Sequence, residues 1–138
     1  MIISARVANK AGTHTVSMRK DKQEQSLQIA PKREGYGSSV SGGELLFLAL
    51  ATCYCNDIYK EAKKQGIDVQ SVEVDVQGEF GSEGGGAKNI TYRASVEAKA
   101  SRDKILNLIR HTDHVAEIHS TVRNGSPVVL SQADAIEV

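Results

Sequence analysis

The sequence predicts an α+β fold, in which small antiparallel sheets surround one long, buried helix. Short segments of alternating apolar and polar residues precede and follow a long apolar stretch that begins at a helix-capping signal. The predicted strands are grouped on either side of the helices, which favours α+β over a βαβ repeat. A chain of 138 residues can bury a sizeable core without disulfides. We therefore expect one domain over residues 1–138.

The first forty residues predict a meander of three short strands. Apolar residues alternate with polar ones from Ile3 onward, and turn signals at residues 11–12 and 20–22 divide the segment. The three predicted strands cover residues 3–8, 13–18 and 26–30. The segment Pro31–Val40 contains two Gly and two Ser, and we expect it to be a loop.

A long helix is predicted to begin after Ser41. Ser41 and Glu44 have the spacing of a capping box, in which the Ser side chain accepts from the third amide and the Glu reaches back. The run Leu45–Cys55 is apolar on all sides, whereas the second half, to Gln65, is amphipathic and is followed by Gly66. One small sheet cannot cover an apolar helix on every side. We expect a second subunit to supply the remaining cover, as in a homodimer.

The second half of the chain predicts two strands, two helical segments and two short final strands. Alternation predicts strands over residues 72–77 and 90–97, joined by a loop over Gly81–Lys88. Ser101 is a predicted cap for the next helix, and a further segment, Val115–Arg123, ends at Asn124-Gly125. The final predicted strands are Pro127–Leu130 and Ala135–Val138.

Charge and cysteine content exclude several classes of partner. The chain has 17 Lys+Arg and 17 Asp+Glu, so it lacks the positive field that nucleic-acid binding requires. The longest apolar run is too short to cross a membrane, and no secretory signal is visible. Cys53 and Cys55 are two residues apart in a helix and point about 200° away from each other, so they should not form a disulfide within one chain. These features indicate a cytoplasmic protein with no nucleic-acid or membrane partner.

Few side chains in this sequence are candidates for chemistry. Cys53 is a small hydrophobe unless a cation or a hydrogen bond stabilises its thiolate. Glu44 is most simply a helix cap, although its carboxylate could orient an arginine or a substrate. His111, His114 and His119 cluster late in the chain, but this is weak evidence for a metal site beside a paired-cysteine pattern. We therefore predict no metal and no cofactor.

The run Ser41–Cys53 resembles the central-helix signature of the OsmC/Ohr (osmotically inducible protein C / organic hydroperoxide resistance) family. In that signature an acidic residue near the helix start is followed by turns rich in Leu and Ala and then by a cysteine. The resemblance extends to Gly66, to the two alternating strands and to the helix that ends at Thr121–Gly125. It implies an intertwined homodimer with the central helices buried at the interface and two active sites built from both subunits.

The resemblance also implies thiol peroxidase chemistry. In that chemistry a first cysteine attacks an organic hydroperoxide and becomes a sulfenic acid, and a second cysteine closes a disulfide that a dithiol reduces. Cys53 matches the first cysteine, whereas Ala116 stands at the position of the second. The hydroperoxide-reductase branch has its Glu ten residues before the cysteine, where this chain has Gly43; Glu44 fits other branches better. Lys10 replaces an N-terminal arginine of that branch.

Three hypotheses follow from this comparison. The first is a one-cysteine peroxidase with Cys53 and Glu44 as its site residues, acting on organic hydroperoxides in the oxidative stress response, with an external thiol as reductant. The alternative is a catalytically inactive family member that binds an apolar small molecule as a dimer. In a third, Cys55 forms a disulfide with a cysteine of the other subunit.

Overall fold

The computed structural model describes all 138 residues, which form five strands and three helices. The elements, in chain order, are β1 (Ile3–Lys10), β2 (Thr13–Lys20), β3 (Gln23–Ser26), α1 (Gly42–Gln65), β4 (Asp68–Glu79), β5 (Lys88–Lys99), α2 (Arg102–Val115) and α3 (Glu117–Arg123). Separate antiparallel sheets and three helices confirm the predicted α+β class. None of the helices combines the length and the apolar character needed to cross a membrane.

Contacts divide the chain into two compact units, residues 1–46 and residues 47–138. The first unit contains the predicted meander, with strand order β1-β2-β3. Gly12 supports the first turn with a φ of 73°, and Asp21 supports the second with a φ of 52°. That the two units fold as one domain stays a prediction.

The third strand lies three residues earlier than predicted. It covers Gln23–Ser26, not Ser26–Ala30, and Gln23 pairs directly with Lys20 across the turn. A two-residue turn fixes the register of the strand that follows, so pairing begins at once although Gln23–Ser26 has no apolar residue. The apolar residues beyond Ser26, on which the prediction rested, follow the strand.

Helix α1 begins and ends as the sequence predicts. The Ser41 hydroxyl accepts a hydrogen bond from the backbone N–H of Glu44 at 3.2 Å, which confirms Ser41 as the N-cap. At the other end Gly66 has a φ of 68°. There the N–H of Gly66 bonds the carbonyl of Lys63, and the N–H of Ile67 bonds that of Ala62, which is the Schellman arrangement.

The second unit packs one face of α1 against the β4–β5 hairpin and α2. Strands β4 and β5 are antiparallel, and their apolar residues alternate toward the helix. Its core consists of Tyr54, Ile58, Ala62 and Leu108. Ser101 caps α2 as predicted, because its hydroxyl accepts from the N–H of Lys104 at 3.3 Å.

Within one chain the apolar half of α1 is not covered on all sides, and its expected cover by a second subunit stays a prediction. Leu50 is buried, but Leu48 on the opposite face of α1 is 58% exposed, so the apolar half of the helix is covered on one face only.

Residues 126–138 contain no strand, which corrects the predicted strands Pro127–Leu130 and Ala135–Val138. A strand needs a neighbour for its backbone N–H and C=O groups, and no strand of this chain pairs with these residues.

Candidate functional site around Cys53

Cys53 lies in the middle of α1 and is partly buried. Its Sγ donates a hydrogen bond to the carboxylate of Asp57, with 3.6 Å between Sγ and Oδ2. Residues four apart lie on the same face of a helix, one turn above the other, so the backbone of α1 itself sets this pair. This hydrogen bond is the first of two polar contacts around the thiol.

The second polar contact comes from the start of α3. The backbone N–H groups of Ile118 and Glu117 lie close enough to the Cys53 sulfur to lower the pKa of the thiol. These groups are free to bind it because the first N–H groups of a helix have no partner inside the helix. Ala116, with a φ of −64° and a ψ of 114°, interrupts the helical path between α2 and α3 and makes this start possible.

These neighbours act on the thiol in opposite directions. Burial raises the pKa of Cys53 above its ordinary value of 9.0, and the charge and the hydrogen bond of Asp57 raise it further. The N–H groups of Ile118 and Glu117 lower the pKa, because they favour a negative sulfur, but they do not offset the other causes. Cys53 is therefore a protonated thiol at neutral pH.

His119 follows this segment and points into the core. It is 4% exposed and packs against two tyrosine rings, with its ring centroid 5.8 Å from that of Tyr54 and 4.8 Å from that of Tyr92. Neither ring nitrogen has a hydrogen-bond partner. Burial and the positive charge of Arg123 lower the pKa of His119, so the imidazole is neutral at neutral pH.

An ion pair holds α3 beside α2 and β5. The Arg123 guanidinium donates to the Asp113 carboxylate at 2.7 Å and to the Asp113 carbonyl at 3.0 Å. The hydroxyl of Tyr92 donates to the same carboxylate. Tyr54 donates to the carbonyl of Ile109 at 2.7 Å, and burial together with the charge of Asp113 raises the pKa of Tyr54 to about 12. These contacts fix the segment that presents the two N–H groups to Cys53.

Next to His119 there is a small apolar cavity of about 90 Å³. Its lining includes Leu50 from α1, Val76 and Ile90 from the hairpin, and Val122 from α3. A space of this size holds a group of a few non-hydrogen atoms and offers it chiefly dispersion contacts.

The other candidate residues have separate environments. Glu44 is exposed in the first turn of α1, and Lys10 is exposed at the end of β1. Cys55 is a free, partly buried thiol that lies beside Ala51 and Val74.

The three late histidines have different neighbours, so they do not converge on one point. His111 contacts Glu61 at 3.3 Å, His114 lies 4.0 Å from the carboxylate of Asp113, and His119 is in the core. No group of three or more His, Cys, Asp or Glu side chains is placed to hold a metal ion.

Sequence reasoning missed Asp57 and the two N–H groups around Cys53. The spacing of Asp57, four residues after Cys53, is a signal that could have found it. The N–H groups of Glu117 and Ile118 carry no such signal, because their position depends on the interruption at Ala116 and on how α3 packs.

Comparisons with known proteins were made by sequence and by structure. The family model described as OsmC-like protein matches residues 35–131. A comparison with curated protein sequences gives no match.

Several solved structures share the fold. An OsmC-like protein from Mycoplasma pneumoniae is 17% identical with a TM-score of 0.62, and the match covers 87% of each chain. An OsmC-like protein of unknown function from Vibrio cholerae is 16% identical with a TM-score of 0.62, covering 88% of this chain and 93% of that one. The organic hydroperoxide resistance protein OhrB of Bacillus subtilis is 17% identical with a TM-score of 0.52, covering 87% of this chain and 90% of that one.

Proposed function

Because the chain belongs to the OsmC-like protein family, we propose that it is a one-cysteine thiol peroxidase that reduces organic hydroperoxides through Cys53. The observation that carries the proposal is the environment of the Cys53 sulfur, which donates a hydrogen bond to the carboxylate of Asp57 and has the N–H groups of Ile118 and Glu117 nearby. The first can accept the thiol proton, and the second can stabilise negative charge on sulfur. The fold shared with OhrB of Bacillus subtilis supports the choice of hydroperoxide as substrate.

The reaction would proceed without a disulfide inside one chain. The Cys53 sulfur attacks the peroxide and becomes a sulfenic acid. Ala116 adjoins the N–H groups that face Cys53, and its methyl group cannot form a disulfide. An external thiol then reduces the sulfenic acid by way of a mixed disulfide. The assignment of Glu44 to the site, where it would orient an arginine or the substrate, stays a prediction, as does the disulfide of Cys55 with another subunit.

We also propose that the working form is a homodimer in the cytoplasm, where hydroperoxide removal would serve the oxidative stress response. The homodimer is supported by exposed apolar side chains on α1 and on the β4–β5 hairpin, among them Leu48 and Phe80, which a second subunit would cover. Residues 126–138, which have exposed Val128, Leu130 and Ile136, offer alternating segments that could pair with a strand of a second copy. Two unpaired thiols suit a reducing compartment.

Peroxide consumption in the presence of a dithiol tests the activity. Purified protein is mixed with tert-butyl hydroperoxide and dithiothreitol, and the remaining peroxide is measured over time. We expect Cys53→Ser to abolish the catalysed consumption and Cys55→Ser, the matched control on the same helix, to retain it. Consumption by the wild-type protein no faster than that by Cys53→Ser would contradict the proposal.

A second candidate function is the binding of an apolar small molecule by a catalytically inactive dimer. The raised pKa of the Cys53 thiol and the apolar cavity beside His119 favour it. Native mass spectrometry of the purified protein, with thermal-shift measurements over a set of lipids and hydroperoxides, is the corresponding test. A bound molecule or a rise in melting temperature is expected if binding is the function, and the absence of both would exclude it.

A further inference from the structure

Asp57 places a negative charge beside a thiol that is proposed to react. The thiolate is the nucleophilic form of cysteine, and reactive cysteines usually have a cation that favours it. Here the charge that acts on Cys53 is the carboxylate of Asp57, which disfavours a thiolate. The two side chains share a hydrogen bond in which the thiol is the donor, because an ionised carboxylate can only accept. The geometry therefore suits removal of the thiol proton during the reaction rather than before it.

We propose that Asp57 is the general base for Cys53, taking the thiol proton as the sulfur attacks the peroxide and passing it to the departing alkoxide. The proposal rests on the peroxidase function proposed above. In this step the S–H bond and the peroxide O–O bond break, and a bond forms between sulfur and the terminal peroxide oxygen. Sulfur is oxidised by two electrons to the sulfenic acid, and the hydroperoxide is reduced to an alcohol. The thiol proton ends on the alcohol oxygen, so Asp57 returns to its starting form.

The remaining neighbours of the sulfur complete this arrangement. As the proton leaves, the negative charge at sulfur is favoured by the N–H groups of Ile118 and Glu117, and the attack then transfers this charge to the departing alkoxide oxygen. After the reaction the sulfenic acid hydroxyl can donate to Asp57 in place of the thiol. The same set of groups thus serves the thiol, the transition state and the product.

Other titratable groups around this region act on His119 more than on Cys53. The charges of Arg123, Asp113 and Asp57 all influence the His119 imidazole, which burial keeps neutral. A neutral ring adds no charge beside the thiol. Asp57 is therefore the charged side chain that acts on the Cys53 thiol, in addition to the larger effect of burial.

Two reactions of the Cys53 thiol show whether Asp57 is a general base or only a residue that lies near the thiol. Iodoacetamide alkylation reports the fraction of thiolate, whereas sulfenic acid formation with tert-butyl hydroperoxide, followed in a single turnover, also needs a proton for the leaving alkoxide. Both are measured from pH 6 to 11, a range that extends beyond the ordinary thiol pKa, in a Cys55→Ser background, so that Cys53 is the reporting thiol. The test variant is Asp57→Asn, which keeps size and polarity. Asp75→Asn on β4 is the matched control, because it removes one exposed carboxylate elsewhere in the same unit.

We expect Asp57→Asn to change the two rates in opposite directions. Alkylation at pH 7 becomes faster and its midpoint moves to lower pH, since the thiolate loses a repelling charge. Sulfenic acid formation becomes slower by about 100-fold or more, the usual contribution of a general base. Asp57→Glu, which keeps a carboxylate, restores part of the rate with hydroperoxide, and Asp75→Asn changes neither reaction.

Other outcomes would overturn the proposal in distinguishable ways. If Asp57→Asn accelerates both reactions together, or changes neither, Asp57 is not a base although the peroxidase function stands. If the parent protein is alkylated at Cys53 but is not oxidised by the hydroperoxide, both the peroxidase function and the role of Asp57 as a base are wrong. Should the Asn variant not fold, Asp57→Ser gives the same comparison with a smaller side chain.

Discussion

At the scale of single residues, His119 has the least favourable polar environment in the described chain. Both ring nitrogens are buried without partners, and an unpaired buried polar group costs about 1–3 kcal/mol. The neutral form is the cheaper one to bury, which agrees with the lowered pKa of this imidazole. Its contacts with the rings of Tyr54 and Tyr92 offset part of the cost.

Because of His119, the free energy of unfolding should decrease as the pH falls. Its pKa is lower in the folded than in the unfolded protein, so above the unfolded value, about 6.5, both states are neutral and the residue gives no pH dependence. Below that value the unfolded chain takes up a proton that the folded protein does not, and stability decreases as the pH falls toward the folded pKa. Urea unfolding at pH 7.5 and 5.5 measures this decrease.

Substitution identifies His119 as the cause of this effect. We expect His119→Phe to lose less stability between the two pH values than the wild-type protein does. The matched control, His114→Gln, changes an exposed histidine of the preceding helix and should keep the wild-type decrease. Equal losses in the wild-type protein and in His119→Phe would show that other groups produce the pH dependence.

At the scale of elements, local signals in the sequence predicted where helices begin and end. Strand register and the packing of helices did not follow from those signals. The caps at Ser41 and Ser101 and the end of α1 at Gly66 depend on a few neighbouring residues, so the sequence alone indicates them. The start of β3 depends on the register set by a turn, which alternation of apolar residues does not report. The position of Asp57 follows from helix periodicity, whereas the N–H groups at the start of α3 require the packed structure.

Gly78 on β4 lies against the ring of Phe47 on α1. A Cβ atom at this position would lie 2.7 Å from Cζ of Phe47, closer than these atoms can approach, and 3.2 Å from Cγ1 of Ile90, which is a tight contact. We expect Gly78→Ala to destabilise the protein by about 1–3 kcal/mol, because the ring of Phe47 must move from its contact with Phe80. Equilibrium urea unfolding measures the loss.

A second glycine provides the control for this substitution. A Cβ atom at Gly81 meets nothing within 4 Å, so Gly81→Ala should change the free energy of unfolding little. If both alanine variants are as stable as the wild-type protein, the close packing of Phe47 against β4 is incorrect.

The position of α3 depends on Arg123. Removing its two hydrogen bonds to Asp113 frees the helix whose first N–H groups face Cys53. We expect Arg123→Ala to speed hydrogen exchange in residues 117–123 and to raise the pKa of the Cys53 thiol, measured from the pH dependence of alkylation. Arg110→Ala, on an exposed position of α2, is the control. Unchanged exchange in Arg123→Ala would mean that other contacts hold α3.

At the scale of the whole molecule, burial is concentrated in one part of the chain. All buried apolar residues lie within residues 47–138, and residues 1–46 bury none. A three-stranded sheet gains its stability from covering an apolar face, so the first unit needs further cover. The apolar half of α1 separately predicts cover by a second subunit, which stays a prediction.

The dimer has a direct test in sedimentation equilibrium. We expect a species of twice the chain mass of 14.9 kDa, held by apolar contacts that include Leu48. Leu48→Lys should shift the distribution toward the monomer, because a charge in an apolar interface is costly. Lys63→Glu, an exposed position near the end of the same helix, should leave the mass unchanged. A wild-type protein that sediments as a monomer would contradict the homodimer.

The central claim is that Cys53 is the residue that an organic hydroperoxide oxidises. The most direct measurement treats the wild-type protein with one equivalent of tert-butyl hydroperoxide in the presence of dimedone, which traps sulfenic acids, and locates the adduct by peptide mass spectrometry. Because Cys53 and Cys55 are two residues apart, the fragmentation must separate them, and Cys53→Ser and Cys55→Ser verify the assignment. We expect a dimedone adduct on Cys53 that persists in Cys55→Ser and disappears in Cys53→Ser. An adduct on Cys55 alone, or no adduct in the wild-type protein, would contradict it.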